Sequence, residues 1–174
     1  VIMVIQQNHS FTSPLRYPGG KGALANFVKL VIKQNGLMDG EYVEVFAGGA
    51  SIALALLFEE YVRRVHLNDL NASLIAFWRS VLEDTENLCR LIQDTPVTIE
   101  QWHLQRTVQD NPQDHSRLEI GFSTFFLNRT NRSGILKGGV IGGKNQTGTW
   151  KMDARYNKAD LIQRIQRIAQ YANR

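Results

Sequence analysis

Two short stretches carry residue types that could do chemistry together. The first is Val43-Glu44-Val45-Phe46-Ala47-Gly48-Gly49-Ala50-Ser51, a glycine pair set where an apolar run ends. Glycines at such a point let the backbone approach a ligand and leave the N–H groups of a following helix free to bind it. The second is Asp69, which closes the next apolar run about twenty residues further on. A carboxylate there accepts from both hydroxyls of a ribose, as in nucleotide-binding α/β folds. The glycines do not follow G-x-G-x-x-G, which weakens a nicotinamide dinucleotide and leaves an adenosine-type cofactor. The competing reading is architectural: Asp69 caps a helix and the glycines pack.

A third stretch is basic. Asn128-Arg129-Thr130-Asn131-Arg132-Ser133-Gly134-Ile135-Leu136-Lys137 runs into a segment rich in glycine. Arg and Lys on a loop neutralise phosphates, and Arg, Asn or Ser read base edges. The plain alternative makes Arg129 a structural hydrogen-bond donor and the rest a solvated loop. Behind it, Gly138-Gly139-Val140-Ile141-Gly142-Gly143-Lys144-Asn145 has the spacing of a phosphate loop. Asn145 stands where Ser or Thr would hold magnesium, and neither a strand before nor a helix after is suggested, so the mechanism lacks its context. His9, His66, His103 and His115 are scattered, and Cys89 is the only cysteine. No metal site, nucleophile–base pair or intrachain disulfide is suggested.

The elements that position these residues follow from periodicity. Arg16-Tyr17-Pro18-Gly19-Gly20-Lys21 forbids regular structure, and by itself is an ordinary turn before a helix. Leu24, Phe27, Val28, Val31 and Ile32 then form one apolar stripe of a helix that Asn35-Gly36 stops. Residues 42–46 predict a strand, Ser51 a cap for a helix apolar nearly all round, and 64–68 a second strand. Asn71 caps a helix with Leu74, Phe77, Trp78, Val81 and Leu82 on one face. This order is a βαβ unit with a parallel crossover. Capping boxes at Thr98 and Ser116 start two more helices, the second lined by Leu118, Phe122, Phe125 and Phe126. Gly134 to Gly148 predicts a long loop or irregular hairpin. A last helix from about Lys158 turns Leu161, Ile162, Ile165, Ile168 and Ala169 inward. Trp78 and Trp102 read as core.

Charge is divided unevenly over the 174 residues. Residues 41–120 hold six Lys/Arg against thirteen Asp/Glu, whereas 121–174 hold ten against two. A basic end on an acidic middle suits a polyanion partner or a solvated face. No run is long and apolar enough for a membrane span, and no secretion signal opens the chain, so a cytoplasmic protein is expected.

Arg16 to Lys21, then FAGGAS after a strand, then LNDLN after the next strand, resemble in order the Dam-like adenine-specific DNA methyltransferases. The resemblance implies a fold class: an α/β, Rossmann-like S-adenosylmethionine-dependent methyltransferase core, incomplete here, with an inserted, mainly helical DNA-recognition region. It implies core over 1–93, recognition region over 94–156 and a returning helix over 157–174. By it, Tyr17, Lys21, Phe46, Gly48, Gly49 and Asp69 line the S-adenosylmethionine pocket, although the adjacent glycines depart from the family's F-x-G-x-G-S. By it too, Arg132, Ser133, Ile135 and Lys137 touch double-stranded DNA, with Arg129 nearer the fold. The family's Asp-Pro-Pro-Tyr, which grips the target amine, is absent: Pro14, Pro18, Pro96 and Pro112 are the only prolines and none are adjacent. No catalytic residue is therefore assigned. The chain is expected to be truncated and inactive alone, completed by a C-terminal segment or second polypeptide. A degenerate methylase kept for DNA binding and a nucleotide-binding module on the Gly138 loop are the alternatives.

Overall fold

A computed structural model describes residues 13–16 and 20–174; Tyr17 lies outside the described residues, as does the stretch before Ser13. A single 3₁₀ turn over Lys21–Leu24 leads into α1 (Ala25–Gln34), and Gly36 at φ +64° turns the chain away from it. The strand β1 (Gly40–Glu44) follows, then α2 (Ser51–Phe58) and β2 (Val62–Leu67). β1 and β2 pair in parallel, Tyr42 beside Val65 and Glu44 beside Leu67. The expected parallel βαβ unit is therefore present, with both strands ending slightly earlier than periodicity suggested.

Five more helices complete the described chain: α3 (Ala72–Glu83), α4 (Thr85–Asp94), α5 (Ile99–Asp110), α6 (Arg117–Thr130) and α7 (Lys158–Ala169). The caps act largely as their residue types predict. Asn71 accepts from Ser73 N–H at 3.0 Å, Thr98 accepts from Gln101 N–H at 3.3 Å, and Ser116 with Glu119 closes a full capping box. The separate helix α4 was not foreseen, because nothing in Asp84-Thr85 breaks the apolar pattern strongly.

The core is centred on α6. Its last ten residues are all buried, and it lies between α3 and α5 with α4 also against it, while α7 packs on α3 and α4. Phe77 of α3 stacks on Phe125 with centroids 6.0 Å apart, while Tyr156 meets Phe125 and Phe126 edge-on at 5.5 Å. Trp78 and Trp102 are buried in the same core. A smaller cluster of Ile32, Ile52, Leu56 and Val62 sits beneath the two strands.

Gly121 lets α6 approach α3. A Cβ there would lie 2.6 Å from Ser80 Oγ and 2.9 Å from the Ala76 carbonyl oxygen, on a packed helix that cannot move aside. Gly121→Ala is expected to cost about 1–3 kcal/mol through overpacking, despite alanine's better helix propensity. Urea denaturation checks this as a lower midpoint with an unchanged slope.

Two expectations fail here. The α1 stripe is not a buried face: Val28 and Ile32 pack inward, but Leu24, Phe27, Leu30 and Val31 are exposed, Phe27 at 63%. Among the described residues α1 packs on α2 and the neighbouring turn, with Ile32 also reaching Val62 of β2, and that contact covers one narrow face. Nor does Ser51 cap α2. Ala50 is the cap residue, in the left-handed region at φ +50°, with no side-chain bond. The acceptor for this helix start comes from elsewhere, as described next.

Candidate functional site

The glycine turn begins where the β1–β2 ladder ends. Ala47 N–H still donates to the Asn68 carbonyl at 2.8 Å, which carries the turn along the tip of β2. Gly48 then takes φ +49°, a conformation that a side chain would strain. Its N–H donates to Asp69 Oδ2 at 2.9 Å, and its carbonyl accepts from buried Trp78 Nε1 at 3.1 Å. The other Asp69 oxygen accepts from Asn71 N–H at 2.9 Å. Asp69 thus holds the turn to the start of α3. The architectural role weighed for it is real, yet each carboxylate oxygen offers about two acceptor positions, so capacity for further donors remains.

Lys21 reaches the same turn from the other side. Its ammonium donates to the Phe46 carbonyl at 2.8 Å and lies 3.2 Å from Glu44 Oε1. Glu44 is only 3% exposed, and its Oε2 accepts from Ala53 N–H at 3.1 Å. That carboxylate is what serves the start of α2 in place of Ser51, where the helix dipole also favours negative charge. Its Oε1 has the Lys21 ion pair but no well-directed hydrogen bond. Reading motifs alone missed Glu44. The available signal was an acid between Val43 and Val45 in an apolar strand, since a buried carboxylate must find a partner.

The structure therefore brings Lys21, Phe46, Gly48 and Asp69 together around one turn, with Gly49 buried beside them. The Phe46 side chain is 70% exposed, an apolar surface beside polar groups. Such a constellation offers carboxylate and carbonyl acceptors, one ammonium and a bare ring face.

The basic stretch forms a second region. Arg132, Ser133, Ile135 and Lys137 are all exposed, on a loop whose backbone is tied down from below. Trp102 Nε1 donates to Asn131 Oδ1 at 2.6 Å, and Asn131 Nδ2 donates to the carbonyls of Ile135 and Leu136. Arg106 adds a bond to the Leu136 carbonyl at 3.1 Å. An isolated antiparallel bridge, Asn131 to Val140, closes the loop. Asn128 is the deeper tie. Its Oδ1 accepts from Arg16 N–H at 2.7 Å, and its Nδ2 donates to the carbonyls of Arg16 at 2.6 Å and Gly134 at 3.0 Å. Gly134 takes φ +74°, and a Cβ there would fall 2.1 Å from the Arg16 carbonyl oxygen. Arg129, by contrast, is buried.

Residues 141–156 hold turns and bends with no strand or helix. Gln146 organises them: its amide nitrogen Nε2 donates to the Ile141 and Gly143 carbonyls and its Oε1 accepts from Met152 N–H. The Gly138 to Lys144 spacing thus has neither the strand nor the helix of a phosphate loop. Among the described residues, no helix is long and apolar enough to cross a membrane.

Comparison with known proteins adds one match. A family model described as D12 class N6 adenine-specific DNA methyltransferase matches residues 17–174. No curated protein matches the chain.

Proposed function

Because the chain belongs to the D12 class N6 adenine-specific DNA methyltransferases, we propose that it takes part in methyl transfer from S-adenosylmethionine to adenine in double-stranded DNA. The observation that carries this is the meeting of Lys21, Phe46, Gly48 and Asp69 at one strand-end turn. The donor set fits the cofactor. Asp69 keeps acceptor capacity for ribose hydroxyls, and the Lys21 ammonium suits a carboxylate. The Phe46 ring offers a face for an adenine, and Gly49 keeps the turn slim; Tyr17, by resemblance, lines the same pocket. S-adenosylmethionine supplies an activated methyl on sulfur. The chain's part is to bind and orient, which is where most of the acceleration of an in-line transfer lies.

The exposed Arg132, Ser133, Ile135 and Lys137 are the proposed DNA contacts, with the tied loop backbone keeping them in place. No adjacent prolines occur in the 174 residues, so the Asp-Pro-Pro-Tyr that grips a flipped adenine is not among them. We therefore expect this stretch to bind without turnover until such an element is supplied, in further sequence or by a second polypeptide. The far edge of β1 has no partner among the described residues, and Val43 and Val45 beside it are exposed, which suits an added strand. A non-catalytic DNA-binding role is the second reading, and the same missing motif favours it.

Calorimetric titration with S-adenosylmethionine tests the proposal. The chain is expected to bind, and Asp69→Ala to weaken binding by about tenfold or more, equivalent to about 1.4 kcal/mol. Asp69→Asn keeps one acceptor oxygen for the turn and guards against mere misfolding. Equal affinity in all three folded proteins would remove Asp69 from the cofactor site.

A further inference from the structure

Gly48 and Gly49 are the central residues of a turn that Ala50 N–H closes on the Ala47 carbonyl at 2.6 Å. The closing bond fixes the ends of such a turn but leaves its central peptide able to flip, which is how type I and type II turns differ. Glycine on both sides of that peptide removes the side-chain clashes that would otherwise choose one orientation. The 48–49 peptide is therefore the softest link of the candidate cofactor turn, and a group outside the turn must hold it.

Trp78 is that group. Its Nε1 donates to the Gly48 carbonyl at 3.1 Å, and no second donor to this carbonyl lies among the described residues. The indole is itself fixed: it is buried, edge-on to Phe77 at 5.1 Å, and Phe77 stacks on Phe125 in the middle of the core. Asp69 cannot take over this task, because the Gly48 N–H that it accepts belongs to the preceding peptide plane. Two planes flank Gly48 and each has its own lock, a carboxylate for 47–48 and an indole for 48–49.

The indole bond also fixes a direction. The described residues contain no cis peptide, so the C=O and N–H of each peptide unit point opposite ways. With the Gly48 carbonyl drawn onto Trp78, the Gly49 N–H points away from it. Among the described residues that N–H has no acceptor, although Gly49 is buried. A buried donor left open calls for an acceptor from outside the chain.

We propose that Trp78 is a positioning residue for S-adenosylmethionine: by holding the 48–49 peptide it aims the Gly49 N–H at the cofactor, and it sets affinity without touching the ligand. This rests on the cofactor reading of the turn given above. A donor aimed in advance needs no ordering when the ligand arrives. A peptide free to flip would present its carbonyl for part of the time, one acceptor facing another.

Trp78→Phe tests this, since it keeps an aromatic ring in the core and removes the donor. Because it also leaves a void, Val81→Ala, buried on the same helix, serves as the matched loss of packing. Wild type and both variants are titrated calorimetrically with S-adenosylmethionine, and their melting temperatures are read. Trp78→Phe is expected to weaken binding about three- to tenfold, the worth of one net hydrogen bond. Val81→Ala is expected to lower the melting temperature and leave affinity unchanged. Glycine labelling and NMR read the turn directly: the Gly49 amide signal should broaden or double in Trp78→Phe alone. Wild-type affinity in Trp78→Phe overturns the proposal, and so does an equal loss in both variants. If the wild type itself does not bind, the cofactor reading falls. A Gly49 signal disturbed only in Trp78→Phe then keeps the lock on the peptide, and an undisturbed one overturns that too.

Discussion

Asn128→Ala is expected to remove about 3–4 kcal/mol of stability, a large effect for one polar side chain. The mutation deletes three hydrogen bonds at once and strands the Arg16 N–H, the Arg16 carbonyl and the Gly134 carbonyl. Unpaired buried groups cost about 1–3 kcal/mol each, and entering water would recover only part of that. Urea denaturation measures the loss. Amide exchange reads its location: protection should fall first over residues 132–140, the loop that Gly134 anchors. Asn128→Asp separates packing from bonding. It keeps the acceptor for Arg16 N–H but sets a carboxylate against two carbonyls, so it should fare no better than alanine. A loss under about 1 kcal/mol would mean the loop is held by Asn131 and Arg106 instead.

Glu44→Ala should produce the next largest loss, about 1.5–3 kcal/mol, the range for charged hydrogen bonds. Ala53 N–H at the start of α2 would lose its acceptor, and Lys21 would keep only the Phe46 carbonyl. Because the Lys21 end is substantially exposed, the ion pair itself contributes the smaller share. Glu44→Gln tells the two apart. Its amide oxygen can still serve Ala53, so stability should fall by less than in the alanine variant. Its lost charge frees Lys21, so S-adenosylmethionine affinity, measured calorimetrically, should change as much as in Glu44→Ala. Equal affinities in wild type and Gln would show that the pair only props the helix.

What could be read from residues alone was local. Asn71, Thr98 and Ser116 announced their helices because a cap is settled by one side chain and the next turn of backbone. The parallel βαβ unit was legible for the same reason, since glycine turn, strand lengths and apolar runs are all short-range. Burial of α1 was not, because the stripe from Leu24 to Ile32 says that one face is apolar but not whether anything is there to cover it. Glu44 escaped for a related cause. It draws its meaning from partners elsewhere in the chain, Lys21 before it and Ala53 N–H after it. Ser51 was misassigned because Glu44, seven positions earlier, took the role that its own hydroxyl could have filled.

The bonds that fix the start of the described chain have a consequence in time. Arg16 is clasped by Asn128, 112 positions later, and the Ser13 carbonyl accepts from Arg164, 151 positions later. Contacts between such distant segments form late, after loop closure has been overcome. During synthesis at roughly 5–20 residues per second, the Arg16 segment waits several seconds before either clasp has left the ribosome. The segment around Arg16, made before both of its clasps, thus settles after them, and until then Leu15 and the apolar face of α6 are open to chaperones.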